Sequence, residues 1–230
     1  IVSGVSDGVT TISYTLPLGC FVTRSVTVNP LPTPVTGTLS LCIGQPSVLT
    51  STPSGGTWLS SNTSIASVTL GVASGFNVGT ANISYILPTG CMRSATVTVN
   101  LTPTAITGVS GICQGSTTLF TNGVGGGTWS SSSPAVASIT TPGGVVSGST
   151  AGTATISYSL YTGCTVTKPV TVNPVPGTIS GPSAVCASFS IALSNPVSGG
   201  AWSSGNTSVA TIAPTSGVLV GVTAGTALIT

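Results

Sequence analysis

Charge is almost missing from this chain. Among 230 residues the charged side chains are Asp7, Arg24, Arg93 and Lys168, with no Glu and no His. Acid–base catalysis therefore lacks its parts, and a Ser nucleophile would have no base to activate it. Calcium sites need carboxylates, and zinc sites need His or Cys-x-x-Cys spacing; neither occurs. An intramolecular isopeptide bond needs a buried acid, and Lys168 has none in view. A net charge of +2 is too small to hold nucleic acid. The glycine run Gly123–Gly127 lies between strands rather than before a helix, so it is not a phosphate loop. We therefore expect no enzyme, no metal and no cofactor. Long apolar runs are missing too. No stretch of about 18 apolar residues exists, so no membrane-spanning helix and no membrane insertion are expected. Nor is there a basic segment leading into an apolar one, as a signal peptide requires. The chain opens and closes inside repeats, which suggests a window of a longer polypeptide with its export signal elsewhere.

Glycine (31) and proline (16) are abundant, and mean hydropathy is +0.60. Disorder needs low hydrophobicity and high net charge, so this chain should fold. β-Branched residues between Gly, Pro and Asn punctuation predict many short strands. A surface with so few charges would be poorly soluble by itself. Covalent sugar, burial in an assembly, or both together would compensate.

One stretch recurs three times: Gly55-Gly56-Thr57-Trp58, Gly126-Gly127-Thr128-Trp129 and Gly199-Gly200-Ala201-Trp202, which hold all three Trp residues. Their spacing of about 70 residues marks a tandem array. Residues 1–30 are the C-terminal part of a repeat, 31–102 and 103–175 are complete repeats, and 176–230 are the N-terminal part of a fourth. In the repeat 103–175 we expect strands over 105–112, 116–121, 128–131, 135–140, 144–149, 153–160 and 164–172. Seven short strands with regular turns predict an all-β fold, a tandem array of immunoglobulin-like β-sandwiches. Alternation puts Ala154, Ile156, Tyr158 and Leu160 on one face, and Val166, Val170 and Val172 toward the core. Thr165, Thr167 and Thr171 face out. Linkers such as Asn29-Pro30-Leu31-Pro32 and Asn173-Pro174-Val175-Pro176 are short and proline-stiffened, which favours a rod.

The pattern Cys-x-Gly, Gly-Gly-Thr-Trp-Ser-Ser, Val-Ala-Ser-Ile, Gly-Val-Val-Ser-Gly-x-x-Ala-Gly-Thr-Ala-Thr-Ile-Ser-Tyr, Gly-Cys and Val-Thr-Val-Asn-Pro resembles bacterial immunoglobulin-like group 2 domains. The versions it resembles are those of giant surface proteins in Bacteroidetes-type bacteria. The resemblance runs the length of the chain. It implies extracellular tandem arrays in adhesins and surface fibres, and no enzyme. The scarcity of acidic residues keeps calcium-stiffened linkers from being carried over.

Six cysteines fall at two repeat positions. Cys42, Cys113 and Cys186 precede the second strand; Cys20, Cys91 and Cys164 open the last. Disulfides in an oxidising compartment are the default. Pairing within a repeat, Cys42–Cys91 and Cys113–Cys164, is one option. Sandwich topology opposes it, because the two positions would lie at opposite poles, on the order of 25–30 Å apart, while a disulfide needs Cα atoms within about 7 Å. A junction pair between consecutive repeats, Cys42–Cys164, is the second option and the one we favour. Cys20, Cys91, Cys113 and Cys186 would then find partners outside the window. Pairing between chains is the third.

Trp58, Trp129 and Trp202 could stack on sugars, but a third-strand Trp in such a sandwich is expected to anchor the core. Arg24 and Lys168 align, and are expected to snorkel with buried stems. Asn62 and Asn206 are candidate glycosylation sites at equivalent loop positions, and the hydroxyl-rich outer faces are candidates for O-linked sugar. The partners expected are other copies of the chain and covalent glycans. The function expected is a structural module of a long extracellular bacterial filament or sheath. The alternative is the stalk of a cell-surface adhesin whose binding domain lies elsewhere.

Overall fold

The computed structural model describes residues 1–230 and is all-β, without a helix. Residues 1–30 hold one antiparallel hairpin, β1 (Gly8–Thr15) and β2 (Phe21–Val28). Residues 31–102 hold β3 (Thr36–Gly37), β4 (Ser40–Cys42), β5 (Pro46–Thr50), β6 (Thr57–Ser60), β7 (Ala66–Thr69), β8 (Val72–Gly75), β9 (Gly79–Ile86) and β10 (Met92–Asn100). Residues 103–175 hold β11 (Gly111–Cys113), β12 (Thr117–Leu119), β13 (Thr128–Ser131), β14 (Ala137–Ile139), β15 (Val145–Gly148), β16 (Gly152–Ser159) and β17 (Thr165–Asn173). Residues 176–230 hold β18 (Ser190–Ala192), β19 (Ala210–Ile212) and β20 (Val218–Gly221).

The 31–102 segment forms two sheets, β4-β10-β9-β6 and β3-β5-β8-β7. The 103–175 segment repeats the plan with β11-β17-β16-β13 and β12-β15-β14. In both, the first sheet pairs an opening strand parallel to the closing one, Cys42 opposite Asn100 and Cys113 opposite Asn173. The alternation read from sequence matches the packing. Ala154, Ile156, Tyr158 and Leu160 are buried, as are Val170 and Val172, while Val166 is half-buried. Thr165, Thr167 and Thr171 are exposed. In the 31–102 segment Leu41, Leu49, Ile83, Tyr85, Val97 and Val99 form the centre of one core.

The strand expected over 105–112 is broken. Thr107 bridges to Thr121, whereas Gly111–Cys113 pairs with β17 in the other sheet. The chain changes sheets between them, and Gly108 makes the change at φ +123, a conformation that side chains rarely adopt. Gly37, at φ +125, does the same between β3 and β4.

By contact the chain divides into two compact units. One comprises residues 1–106, 122–128 and 158–166; the other comprises 107–121, 129–157 and 167–230. The division passes through the 103–175 segment.

Candidate functional site

The Gly-Gly-x-Trp stretch enters β6 and β13 from a loop, and its second glycine is a seat for a tyrosine. Gly56 N–H donates to Tyr85 Oη at 2.8 Å, and that hydroxyl donates to Pro53 O at 2.8 Å. In the next segment Gly127 N–H donates to Tyr158 Oη at 2.8 Å, and the hydroxyl donates to Val124 O at 2.7 Å. A Cβ on either glycine would lie 2.5 Å from the tyrosine Cζ. Both tyrosines are buried, and a buried hydroxyl needs such partners.

The tryptophans face inward. Trp129 is buried, and the half-buried Trp58 and Trp202 pack on their segments' cores. Trp58 lies 4.8 Å from the Tyr85 ring, tilted at 51°. Two residues on, a serine hydroxyl ties the Trp strand to the neighbouring strand of the other sheet. Ser60, Ser131 and Ser204 donate to Ala66 O, Ala137 O and Ala210 O at 2.6, 2.6 and 2.7 Å. Neither the tyrosine seat nor the serine tie was anticipated from sequence. The signal for both was present, since Tyr14, Tyr85 and Tyr158, like Ser60, Ser131 and Ser204, recur at the repeat spacing.

Of the six cysteines the structure joins two. Cys42, at the end of β4, and Cys164, just before β17, form a disulfide with Cα atoms 5.7 Å apart across a sequence separation of 122. Cys164 is fully buried. Cys20, Cys113 and Cys186 are exposed free thiols. Cys91 is half-buried, its Sγ 3.8 Å from Asn29 O. Neither Cys42–Cys91 nor Cys113–Cys164 is formed.

Asn62 and Asn206 are exposed and share one local geometry. The Asn62 side-chain oxygen accepts from Ser64 N and Oγ, at 3.1 and 2.6 Å, and Asn206 accepts from Ser208 in the same way. Lys168 Nζ donates to Gly108 O at 2.8 Å and lies 5.4 Å from the Phe120 ring centroid, so its stem crosses apolar surface. Arg24 and Arg93 are exposed.

No family model matches the chain, and no curated protein matches it. Solved structures do. A C-terminal 282-residue fragment of intimin, in complex with the intimin-binding domain of the translocated intimin receptor, is 18% identical, with a TM-score of 0.40 over 64% of this chain and 67% of that one. Domains 1–6 of the surface layer protein SbsC are 16% identical, with a TM-score of 0.29 over 98% of this chain and 43% of theirs. SGBP-B of the Bacteroides ovatus mixed-linkage glucan utilization locus, in complex with a heptasaccharide, is 12% identical, with a TM-score of 0.25 over 79% of this chain and 57% of that one.

Proposed function

We propose that this chain is a structural repeat module of a long extracellular bacterial filament or sheath, stiffened by disulfides and proline-rich linkers and coated with glycan. The observation that carries this reading is the Cys42–Cys164 disulfide, which ties the 31–102 segment to the last strand of the 103–175 segment. Such a bond suits an oxidising, extracytoplasmic setting. It resists pulling apart of consecutive repeats, which is a mechanical rather than a catalytic property. The polar surface suits a coat, since Thr96, Thr98, Thr165, Thr167 and Thr171 present hydroxyls to solvent and Asn62 and Asn206 lie in exposed turns. Apolar residues such as Leu59, Leu70, Phe76 and Tyr161 are exposed as well, and burial in an assembly or under sugar would shield them.

Imaging of the cell exterior tests the proposal. Ordered fibres with a regular axial repeat support it. Isolated rods anchored to cells would replace it with an adhesin stalk. A native mass equal to 22.2 kDa per 230 residues would remove the glycan coat from the proposal.

A further inference from the structure

Of the chain's asparagines, only Asn122 is followed by glycine. An asparagine side chain is an amide electrophile, and the backbone nitrogen of the next residue is the nucleophile within reach. Glycine offers that nitrogen with no Cβ to obstruct it. Asn122-Gly123 is therefore where this chain closes a succinimide ring most readily. The same loop position reads Ser51-Thr52 in the 31–102 segment, with no amide to attack. In the 176–230 segment it reads Asn195-Pro196, and proline has no N–H to give up.

In the closed loop before β13 both reacting groups are held by one residue. Gly123 N–H donates to Thr104 Oγ1 at 2.8 Å. Asn122 Nδ2 donates to Thr104 O, and Asn122 Oδ1 accepts from Val124 N–H at 3.0 Å and from Thr104 Oγ1 at 3.3 Å. A Cβ on Gly123 would lie 3.1 Å from Thr104 Oγ1, so glycine suits this close approach. The half-buried Asn122 amide is thus fixed at both its oxygen and its nitrogen, and the Gly123 nitrogen keeps its proton on a hydroxyl. Ring closure needs the reverse. The amide carbon must turn over the Gly123 nitrogen, and that nitrogen must lose its proton.

We propose that Asn122-Gly123 is a spontaneous modification site gated by Thr104, silent while the loop is closed and converted to aspartate and isoaspartate when it opens. In the open loop a solvent base takes the Gly123 proton. The nitrogen attacks Asn122 Cγ, a C–N bond forms, the bond to Nδ2 breaks, and ammonia leaves with a proton from water. Water then adds to either carbonyl of the ring and one ring C–N bond breaks, which leaves an aspartyl or an isoaspartyl residue. Nothing is oxidised or reduced. The product does not fit the closed loop. Aspartate at position 122 has lost the donor that bonded Thr104 O and sets a carboxylate against that carbonyl, acceptor on acceptor. Isoaspartate adds a backbone carbon before Gly123, which shifts Gly123 away from Thr104 and Val124 O away from the Tyr158 hydroxyl it accepts. Opening is thereby recorded as a one-way change, and the net charge falls by one from +2.

The test follows the purified 230-residue chain by peptide mapping over time at mildly alkaline pH, folded and in urea. Asn122 in the folded chain should convert at least about tenfold more slowly than in urea, because only the open fraction reacts. Thr104→Val removes the hydroxyl and should raise the folded rate at least about threefold without changing the rate in urea, while Thr104→Ser should keep the slow folded rate. Asn122→Asp, which is the aspartyl product, should lower the urea midpoint by about 0.5 M or more. Equal rates in the folded and unfolded chain, a Thr104→Val chain that converts no faster than its parent, or an Asn122→Asp midpoint equal to the parent's would overturn the proposal. The comparison of folded with unfolded chain uses the natural sequence, so it decides the matter even where a variant fails to fold.

Discussion

Replacing Cys42 and Cys164 together by alanine should be the most destabilising change in the chain that leaves its sheets intact. The disulfide closes a loop across a sequence separation of 122. On the chain-entropy model, opening a loop of that length releases about 5 kcal/mol of denatured-state freedom. A second cost arises in the folded state. Cys164 is fully buried, so deleting its sulfur leaves an apolar void, and a void of methyl size costs about 1 kcal/mol. The total is about 6 kcal/mol. With a urea slope of about 2 kcal/mol/M, the midpoint should fall by about 3 M. Fluorescence of Trp58 and Trp129 follows the transition, because both indoles sit against cores that the disulfide-linked segments build. Cys113→Ala and Cys91→Ala serve as controls, since neither residue is bonded within the chain. A midpoint that moves by no more than the controls do would refute the entropic reasoning. It would mean that the segments hold each other without the covalent tie.

Other changes probe single contacts. Tyr158→Phe removes a hydroxyl from Gly127 N–H and Val124 O and should cost about 1–3 kcal/mol. Gly127→Ala, whose Cβ would sit 2.5 Å from Tyr158 Cζ, should cost a similar amount by overpacking, and the double variant should cost less than the sum, which a denaturation cycle measures. Leu70 is exposed and holds φ +50 beside Gly71 at +83 in the turn between β7 and β8, so Leu70→Asn should raise stability by about 1 kcal/mol in the same assay. Acid unfolding works through carboxylates and histidines that bind protons on unfolding. With one Asp, no Glu and no His, the chain should show the same urea midpoint at pH 3 as at pH 7.

Much of the sandwich was legible because its signals are local and repeated. Period-two alternation in 153–160 fixed which residues of β16 are buried, and the Pro142-Gly143 and Thr162-Gly163 turns marked where strands reverse. The break in the strand expected over 105–112 was not legible. Thr107 and Ile112 lie in one short stretch whose Ile106, Thr107, Val109 and Ile112 all favour strands, and only the three-dimensional position of Gly108 reveals that the two ends serve different sheets. The role of Gly127 was hidden for a related reason. A glycine beside another glycine reads as loop flexibility, whereas its lack of a side chain makes room for Tyr158, a residue about 30 positions away. Contacts over such separations have no sequence period to announce them, apart from the repeat itself.

Scarcity of charge changes how these sandwiches guard their edges. Sheets commonly discourage unwanted pairing with lysines and other charges on edge strands. Here β6 and β13 are edge strands whose exposed residues are Thr57, Leu59, Thr128 and Ser130, none charged. Hydroxyls consume some of the edge instead. Thr141 Oγ1 donates to Trp129 O at 3.0 Å, capping a carbonyl of β13 that a foreign strand could otherwise use. Ser131 and Ser60 bind carbonyls at the ends of the same strands' crossings to β14 and β7. A hydroxyl of this kind satisfies one carbonyl without repelling a neighbour, so it limits pairing at that position and leaves close approach of another uncharged surface possible. Lysine would prevent both. In the filament proposed above, copies of the chain would lie against one another and would use that freedom of approach, and the Gly-Gly-x-Trp-x-Ser stretch supplies it in the same turn that seats the tyrosine and anchors the core.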